Sequence, residues 1–373
     1  MDSRCSPCAV SSPPRQRPGS RVWGLTLALM TACGGEGALD RDAVPAAPGP
    51  TPDGSLYGAG ATAWEPDALE SGTPAARYGQ LAVADGHLVD STGNPVQLKG
   101  VSTMWLNWER NFASSKDGLR WLRDNWGLSV VRAAMGIEPP GAYLENRNTL
   151  INNVRTVVRN AIDLGVYVII DWHDHTGQEH QEEATEFFTL MAAEFGEYPN
   201  VLYETYNEPT RVSWSEVLKP YHTQVVDAIR QSDPDNIAIL GTPFWSQAVN
   251  DAALDPVEGA NLMYTVHFYS CTHGPQQRQQ AVVAADAGLA IFVTEWGATE
   301  ANGGTDVMSP VCDAEARLWH DFMDERQISW TAWKLDGCPD LSCFFQAQAP
   351  RNGGWTDEML NGHGPFVREM MTR

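Results

Sequence analysis

Three observations predict a (β/α)8 barrel, the TIM-barrel fold class: eight short apolar runs, amphipathic stretches between most of them, and polar residues gathered where the runs stop. The runs are VQLKGV (96–101), LSVVRAAM (128–135), VYVIID (166–171), VLYETY (201–206), NIAILG (236–241), LMYTVHFY (262–269), AIFVTEW (290–296) and ISWTAWK (328–334). Their length and their β-branched and aromatic content suit strands buried on both faces. Residues 149–165 show the helical period most clearly: Ile151, Val154, Val158, Ala161 and Ile162 recur on one face and Gly165 supplies the stop. An open doubly wound sheet is the competing architecture, and no glycine-rich phosphate fingerprint follows the first run to support it.

The 373 residues leave room for one barrel and an N-terminal extension. Arg15, Arg17 and Arg21 precede an apolar stretch, 22–32, that is too short to span a bilayer, and Cys33 follows directly. Thr31 and Ala32 before that cysteine resemble a bacterial lipoprotein signal, although Met30 replaces the usual leucine. Residues 1–32 are therefore read as a signal peptide, with Cys33 as the lipidated first mature residue and ordinary secretion as the other reading. Residues 33–77, rich in Gly, Pro and Ala, read as a linker, and 78–373 as the barrel. The expected location is extracellular, or on the outer membrane through the lipid anchor alone.

Charge narrows the partners. The formal net charge is −22, from 25 basic and 47 acidic side chains, which disfavours nucleic acid and anionic membrane surfaces. A neutral polymer fits better; a monomer without cofactor or metal is expected. Cys271, Cys312, Cys338 and Cys343 remain after the leader and Cys33, and in an oxidising compartment four cysteines suggest two disulfides, with three pairings formally open. Zinc is the rival reading for Cys338 and Cys343, but no second pair follows at finger spacing.

A barrel carries its chemistry at the C-terminal ends of its strands. There the chain places Arg132, then Asp171, Trp172 and His173, then Asn207 and Glu208, then Trp245, His267 with Tyr269, Glu295 with Trp296, and Trp333. Glu208 and Glu295, on opposed strand ends, are equipment for splitting an acetal, one protonated and the other ionised. Arg132 with a neighbouring Tyr or His is expected to hold Glu295 as the anion, while Glu208, facing fewer cations, keeps its proton. Glu204 lies on the same side but deeper, as a buried, paired acid.

YGQLAVADGHLVDSTGNPVQLKGVS, WLRDNWGLSVVRAAM, AIDLGVYVIIDWH, FGEYPNVLYETYNEP, HFY with THG, IFVTEWG and a closing GGW occur in this order. Together they resemble glycoside hydrolase family five, in particular its bacterial endoglucanase branch. The resemblance implies a retaining enzyme acting on β-glucan, with Glu208 as acid/base and Glu295 as nucleophile. It implies that Asn207 bonds the sugar 2-hydroxyl, Arg132 holds the nucleophile's charge, His173 and His267 line the site, Tyr269 bonds Glu295 and Trp333 forms a stacking floor. Three departures cluster: Thr103, Met104 and Trp105 stand where a histidine is usual, Gly136 where a tyrosine is, and the segment around Cys338 where a lysine is. With Trp108, Trp105 would then exchange polar contacts for stacking, unless Lys334 or Asp336 restores them. A mannanase or mixed-linkage glucanase is the alternative activity. A metal-dependent amidohydrolase built on His173 and His175, and a non-catalytic carbohydrate binder, are the alternatives from other classes. Since Cys271 follows the sixth strand and Cys312 the seventh, Cys271–Cys312 and Cys338–Cys343 are the expected pairs.

Overall fold

Each of the eight runs supplies a strand of one closed parallel barrel in the computed structural model, which describes residues 64–108 and 112–373. The strands are β1 (Lys99–Thr103), β2 (Val130–Gly136), β3 (Tyr167–His173), β4 (Val201–Glu204), β5 (Ala238–Leu240), β6 (Leu262–Tyr269), β7 (Ile291–Gly297) and β8 (Ser329–Leu335). Each pairs with its neighbour in sequence, and β8 closes the ring against β1. Helices lie between successive strands, the longest being Tyr143–Leu164 between β2 and β3. Its apolar face is buried, and Gly165, at φ 63°, ends it in the left-handed conformation while its N–H caps the carbonyls of Ala161 and Ile162.

Alternation along the strands splits the barrel interior into two zones. Val130, Ile169, Leu202, Ile239, Met263 and Phe292 form an apolar lower zone. Two residues further along three of these strands the inward side chains become Arg132, Asp171 and Glu204. In β7 the step is different. Thr265 faces Phe292 while His267 faces Glu295, so β7 carries one extra residue, and the bulge turns both Thr294 and Glu295 toward the interior groups. Trp172 and Trp296 point the other way: Trp172 packs on Tyr143 and Phe187, and Trp296 on Phe268 and His320. Those two rim tryptophans thus belong to the layer between barrel and helices.

A hairpin absent from the sequence reading closes the lower end. Ala82–Ala84 pairs with His87–Val89 around Asp85 and Gly86, both at positive φ. Its Leu88, with Leu81, Val96 and Leu98, joins the lower apolar zone. Asp-Gly between apolar runs is a strong short-range hairpin signal, and it was available in AVADGHLV.

The barrel unit starts at Trp64, fourteen residues before the boundary that composition suggested. The Trp64 ring meets Phe195 at 6.3 Å and Tyr198 at 5.7 Å, with the Arg159 guanidinium 5.3 Å from its centroid. Asp67 pairs with Lys116 at 2.6 Å, and Pro74–Tyr78 forms a short helix. The small residues in this segment conceal one aromatic anchor. The leader expected at 1–32 and Cys33 lie outside the described residues. Among the described residues no helix is long and apolar enough to cross a membrane.

Two disulfides clip the loops above the strands: Cys271 to Cys312, with Cα atoms 5.2 Å apart, and Cys338 to Cys343, at 5.6 Å. The first ties the segment after β6 to the residue before helix Asp313–Glu325, and the second closes a short loop after β8. The second leaves no free thiol in the Cys338 and Cys343 pair for zinc. Replacing Trp64 with Ala is expected to destabilise the barrel by about 1–3 kcal/mol. Urea unfolding checks this, and an unchanged midpoint would return residues 64–77 to the status of a tether.

Candidate active site

The upper zone is organised around one guanidinium. Arg132, fully buried, donates through Nε to Glu204 Oε2 (2.6 Å) and through Nη1 to Glu295 Oε2 (3.1 Å). Nη2 donates to Asn207 Oδ1 (2.6 Å) and is ion-paired with Asp171 Oδ2 at 2.9 Å. Burial opposes its charge, but the carboxylates of Asp171, Glu204 and Glu295 outweigh that and raise its pKa. Glu204 also accepts from Thr294 Oγ1 at 2.6 Å, so it is a buried, paired acid beneath the rim. Burial raises Asp171 well above the usual carboxylate range, and its Oδ2 faces His173 Nδ1 at 2.7 Å.

Glu295 receives a second hydrogen bond, from the Tyr269 hydroxyl to Oε1 at 2.5 Å. Burial and the charge of Glu208 raise its pKa, against the opposing pull of His267, Arg132 and Tyr269. Glu208 stands in a different field from the one the sequence suggested. Its Oε1 lies 2.9 Å from His267 Nδ1 and its Oε2 3.2 Å from His175 Nε2. Burial disfavours its charge, but the bonds from His175 and His267 prevail and bring it down to about 2. His267 is lifted to about 9: burial works against its charge, and the bonds to Glu204 and Glu208 win. The expectation that Glu208 meets few cations is therefore corrected. In the resting site the proton lies on His267, one hydrogen bond from Glu208. His267 Nε2 contacts Thr294 Oγ1 at 2.9 Å, and Thr294 donates in turn to Glu204, which keeps Nε2 protonated in either state of Nδ1.

Glu208, His267 and Glu295 each bring a ligating atom within 4.8 Å of the others. Distance alone would suit a cation there, but all three are engaged by protein partners, namely His175, Thr294, Arg132 and Tyr269. His173 and His175 do not converge as an amidohydrolase pair would: their rings stand at 88°, one turned to Asp171 and the other to Glu208.

Aromatic groups wall the cleft. Trp333 stacks on His173 at 5.4 Å and 12° and shares a buried cluster with Tyr269 and Ala134. Burial, reinforced by Arg132, keeps His173 well below the usual histidine range, so it is neutral. Trp105 meets His173 edge-on at 4.7 Å and stacks on Trp108 at 5.4 Å and 7°. One face of Trp105 is thus covered, and Trp108, 47% exposed, offers the open surface. A side chain at Gly136 would meet Trp105 Cε3 at 2.9 Å and Asn107 Oδ1 at 2.5 Å, so the departures at 105 and 136 are one packing arrangement. Lys334 restores no obvious polar contact, because its Nζ is held by Asp340 at 3.1 Å within the disulfide loop. Asp336 accepts from the Gly337 N–H at 2.7 Å. On the Glu208 side a cavity of about 230 Å³ is lined by Glu208, Trp245, His267, Tyr269 and His273. Phe244, Trp245 and Ser246 above it are consecutive left-handed residues.

The model for cellulases of glycosyl hydrolase family 5 matches residues 89–338. The chain belongs to this family. It is 43% identical over 295 residues to an endoglucanase of Clostridium saccharobutylicum, covering 78% of this chain and 64% of that protein. It is 46% identical over 282 residues to endoglucanase A of Evansella cellulosilytica, covering 74% and 56%. The chain thus spans about six tenths of the length of the curated relatives it matches. Among solved structures, the catalytic domain of a Thermobifida fusca endoglucanase superposes with a TM-score of 0.76 at 31% identity, over 81% of this chain and all of that one. A structure from Cytophaga hutchinsonii gives 0.77 at 40% identity, over 80% and 96%.

The structure thus brings Arg132, His173, Asn207, Glu208, His267, Tyr269, Glu295 and Trp333 around one mouth, with Trp105 and Trp108 along its edge. The sequence reading missed His175 as a site residue, and the relay through Thr294. For His175 the signal was its place two residues beyond His173; for Thr294 there was none, because only the β7 bulge turns it inward with Glu295. Arg132→Lys is expected to lower kcat/KM by more than ~100-fold and stability by about 3–5 kcal/mol, since one ammonium cannot serve four acceptors. Steady-state kinetics with urea unfolding checks both.

Proposed function

We propose that the chain is a retaining endo-β-1,4-glucanase that cleaves internal bonds of cellulose or related β-glucans by double displacement. The carrying observation is that carboxylate oxygens of Glu208 and Glu295 lie within 4.8 Å. That spacing suits direct attack on the anomeric carbon and leaves too little room for the intervening water of an inverting site.

Glu295 is the nucleophile, aimed by Arg132 and Tyr269, whose bonds favour its anion against burial and the charge of Glu208. Glu208 is the acid/base. Binding of sugar expels water and penalises the ion pair of His267 and Glu208 against its neutral form. The proton then moves along the 2.9 Å bond onto Glu208 without any change in total charge. Glu208 protonates the leaving oxygen as Glu295 attacks, then takes a proton from the water that releases the glycosyl group. Asn207 Oδ1 is committed to Arg132 while its buried Nδ2 has no protein partner, which supports a donor aimed at the sugar 2-hydroxyl. Trp333 supplies an apolar face for the pyranose ring.

A mannanase or mixed-linkage activity is favoured by one observation, the aromatic edge of Trp105 and Trp108 beside Gly136, because stacking tolerates an axial hydroxyl better than a fixed donor does. Export fits the two disulfides, and a lipid anchor at Cys33 and a monomeric state complete the proposal.

Glu208→Ala and Glu295→Ala are each expected to lose at least ~1000-fold in kcat on β-glucan. With an activated aryl cellobioside, azide should rescue Glu208→Ala to a product of retained configuration, read by NMR. An inverted product from the unaltered protein would overturn Glu295 as nucleophile. Trp108→Ala should raise KM on long glucans several-fold with little change on a small aryl glycoside, the signature of lost uniform binding. Equal KM values on polymer would assign Trp108 to packing.

A further inference from the structure

Both oxygens of Glu208 face histidines, and only one of the two belongs to the buried relay. His267 is 1% exposed in its side chain and fixed from behind by Thr294, whereas His175 is 34% exposed and stands at the rim. We propose that His175 is a positioning residue for the acid/base: it holds Glu208 Oε2 in the resting site, favours the Glu208 anion, and yields its place to the leaving-group oxygen when sugar binds. This rests on the assignment of Glu208 made above.

The contact is a built one. Asp174, almost fully buried, accepts the N–H groups of His175 (2.7 Å) and Thr176 (3.0 Å) through Oδ1, and its Oδ2 faces His180 Nδ1 at 2.8 Å. The Asp174 carbonyl accepts the N–H of Glu208 at 3.2 Å, so one residue fixes the backbone of both partners. Trp105 lies 6.0 Å from the His175 ring at 30°, and His173 stands perpendicular at 6.3 Å, which limits the ring's swing. The charged and titratable groups around His175 are Glu208 from the end of β4, Glu295 from β7, and Asp174 and His173 from its own segment, with His267 across Glu208.

The sign follows from the geometry. An N–H donor or imidazolium at 3.2 Å stabilises carboxylate over carboxylic acid. Acid catalysis needs the protonated form, so His175 makes Glu208 a stronger acid and lets the pair of His267 and Glu208 lose its proton at lower pH. The alkaline limb of the pH profile is therefore set partly by His175.

The test compares the unaltered protein with His175→Phe, which keeps a ring beside Trp105 without the donor, and His175→Gln, which keeps an N–H without the charge. Each is assayed on barley β-glucan and on 2,4-dinitrophenyl cellobioside across pH. The ratio of the rate on glucan to that on the activated glycoside should fall about tenfold in the Phe variant. The alkaline limb of kcat/KM should move up by roughly half to one pH unit. The Gln variant should recover most of the ratio and bring the limb part of the way back. Unchanged ratio and limb in both folded variants overturn the proposal. Azide rescue of Glu208→Ala, measured alongside, keeps that outcome distinct from failure of the Glu208 assignment itself.

Discussion

A single buried guanidinium fixes the geometry of everything that reacts. Arg132 touches acids from β3, β4 and β7 and the amide of Asn207 just beyond β4, so three other strands are registered to one planar group on β2. Such a charge is tolerated in the interior only because each of its faces meets an acceptor. The fork shape of the side chain then converts an electrostatic necessity into positional control of Glu295. Asn207 carries the same control outward, since the bond to Arg132 decides which way its amide points.

The second organising feature is the placement of the mobile proton. The sequence invited a simple division, with Glu295 near cations and Glu208 away from them. The folded chain instead surrounds Glu208 with His175 and His267 and lets burial and like charge act on Glu295. The roles proposed for the two acids are compatible with this, because in that proposal the acid is a carboxyl and an imidazole sharing one proton. The Thr294 hydroxyl, between His267 and Glu204, keeps the inner nitrogen, Nε2, occupied, which leaves Nδ1, facing Glu208, as the one to exchange.

What was legible in the sequence was whatever depends on period and on strand ends. The eight runs became the eight strands, and Arg132, Asp171, Asn207, Glu208, His267, Tyr269 and Glu295 were located because a polar residue ending an apolar run has few places to go. What escaped depended on pairings between distant segments. The bulge that turns Thr294 and Glu295 inward together is a property of β7 against β6 and β8, visible in no single run. Trp172 and Trp296 sit beside catalytic positions in sequence but on the opposite face of the strand. Trp64 was hidden by its flexible-looking neighbours, and the link between Trp105 and Gly136 needed the two loops to be seen in contact.

The plugged lower end of the barrel has a consequence for how a turnover of the proposed reaction would finish. Leu81, Leu88 and the apolar zone fill the lower end among the described residues, which leaves the upper opening, with the cavity lined by Glu208 and Trp245 beside it, as the approach for water. A departing sugar chain in the proposed reaction would occupy that same space. In the proposed double displacement, a glycosyl group on Glu295 would be shielded from hydrolysis for as long as that chain stays, and once it leaves, water and any other sugar hydroxyl would compete for one doorway. On that proposal, the partition between hydrolysis and transfer to a new acceptor depends on occupancy of this cavity, and Trp245, which lines it, is placed to influence product length.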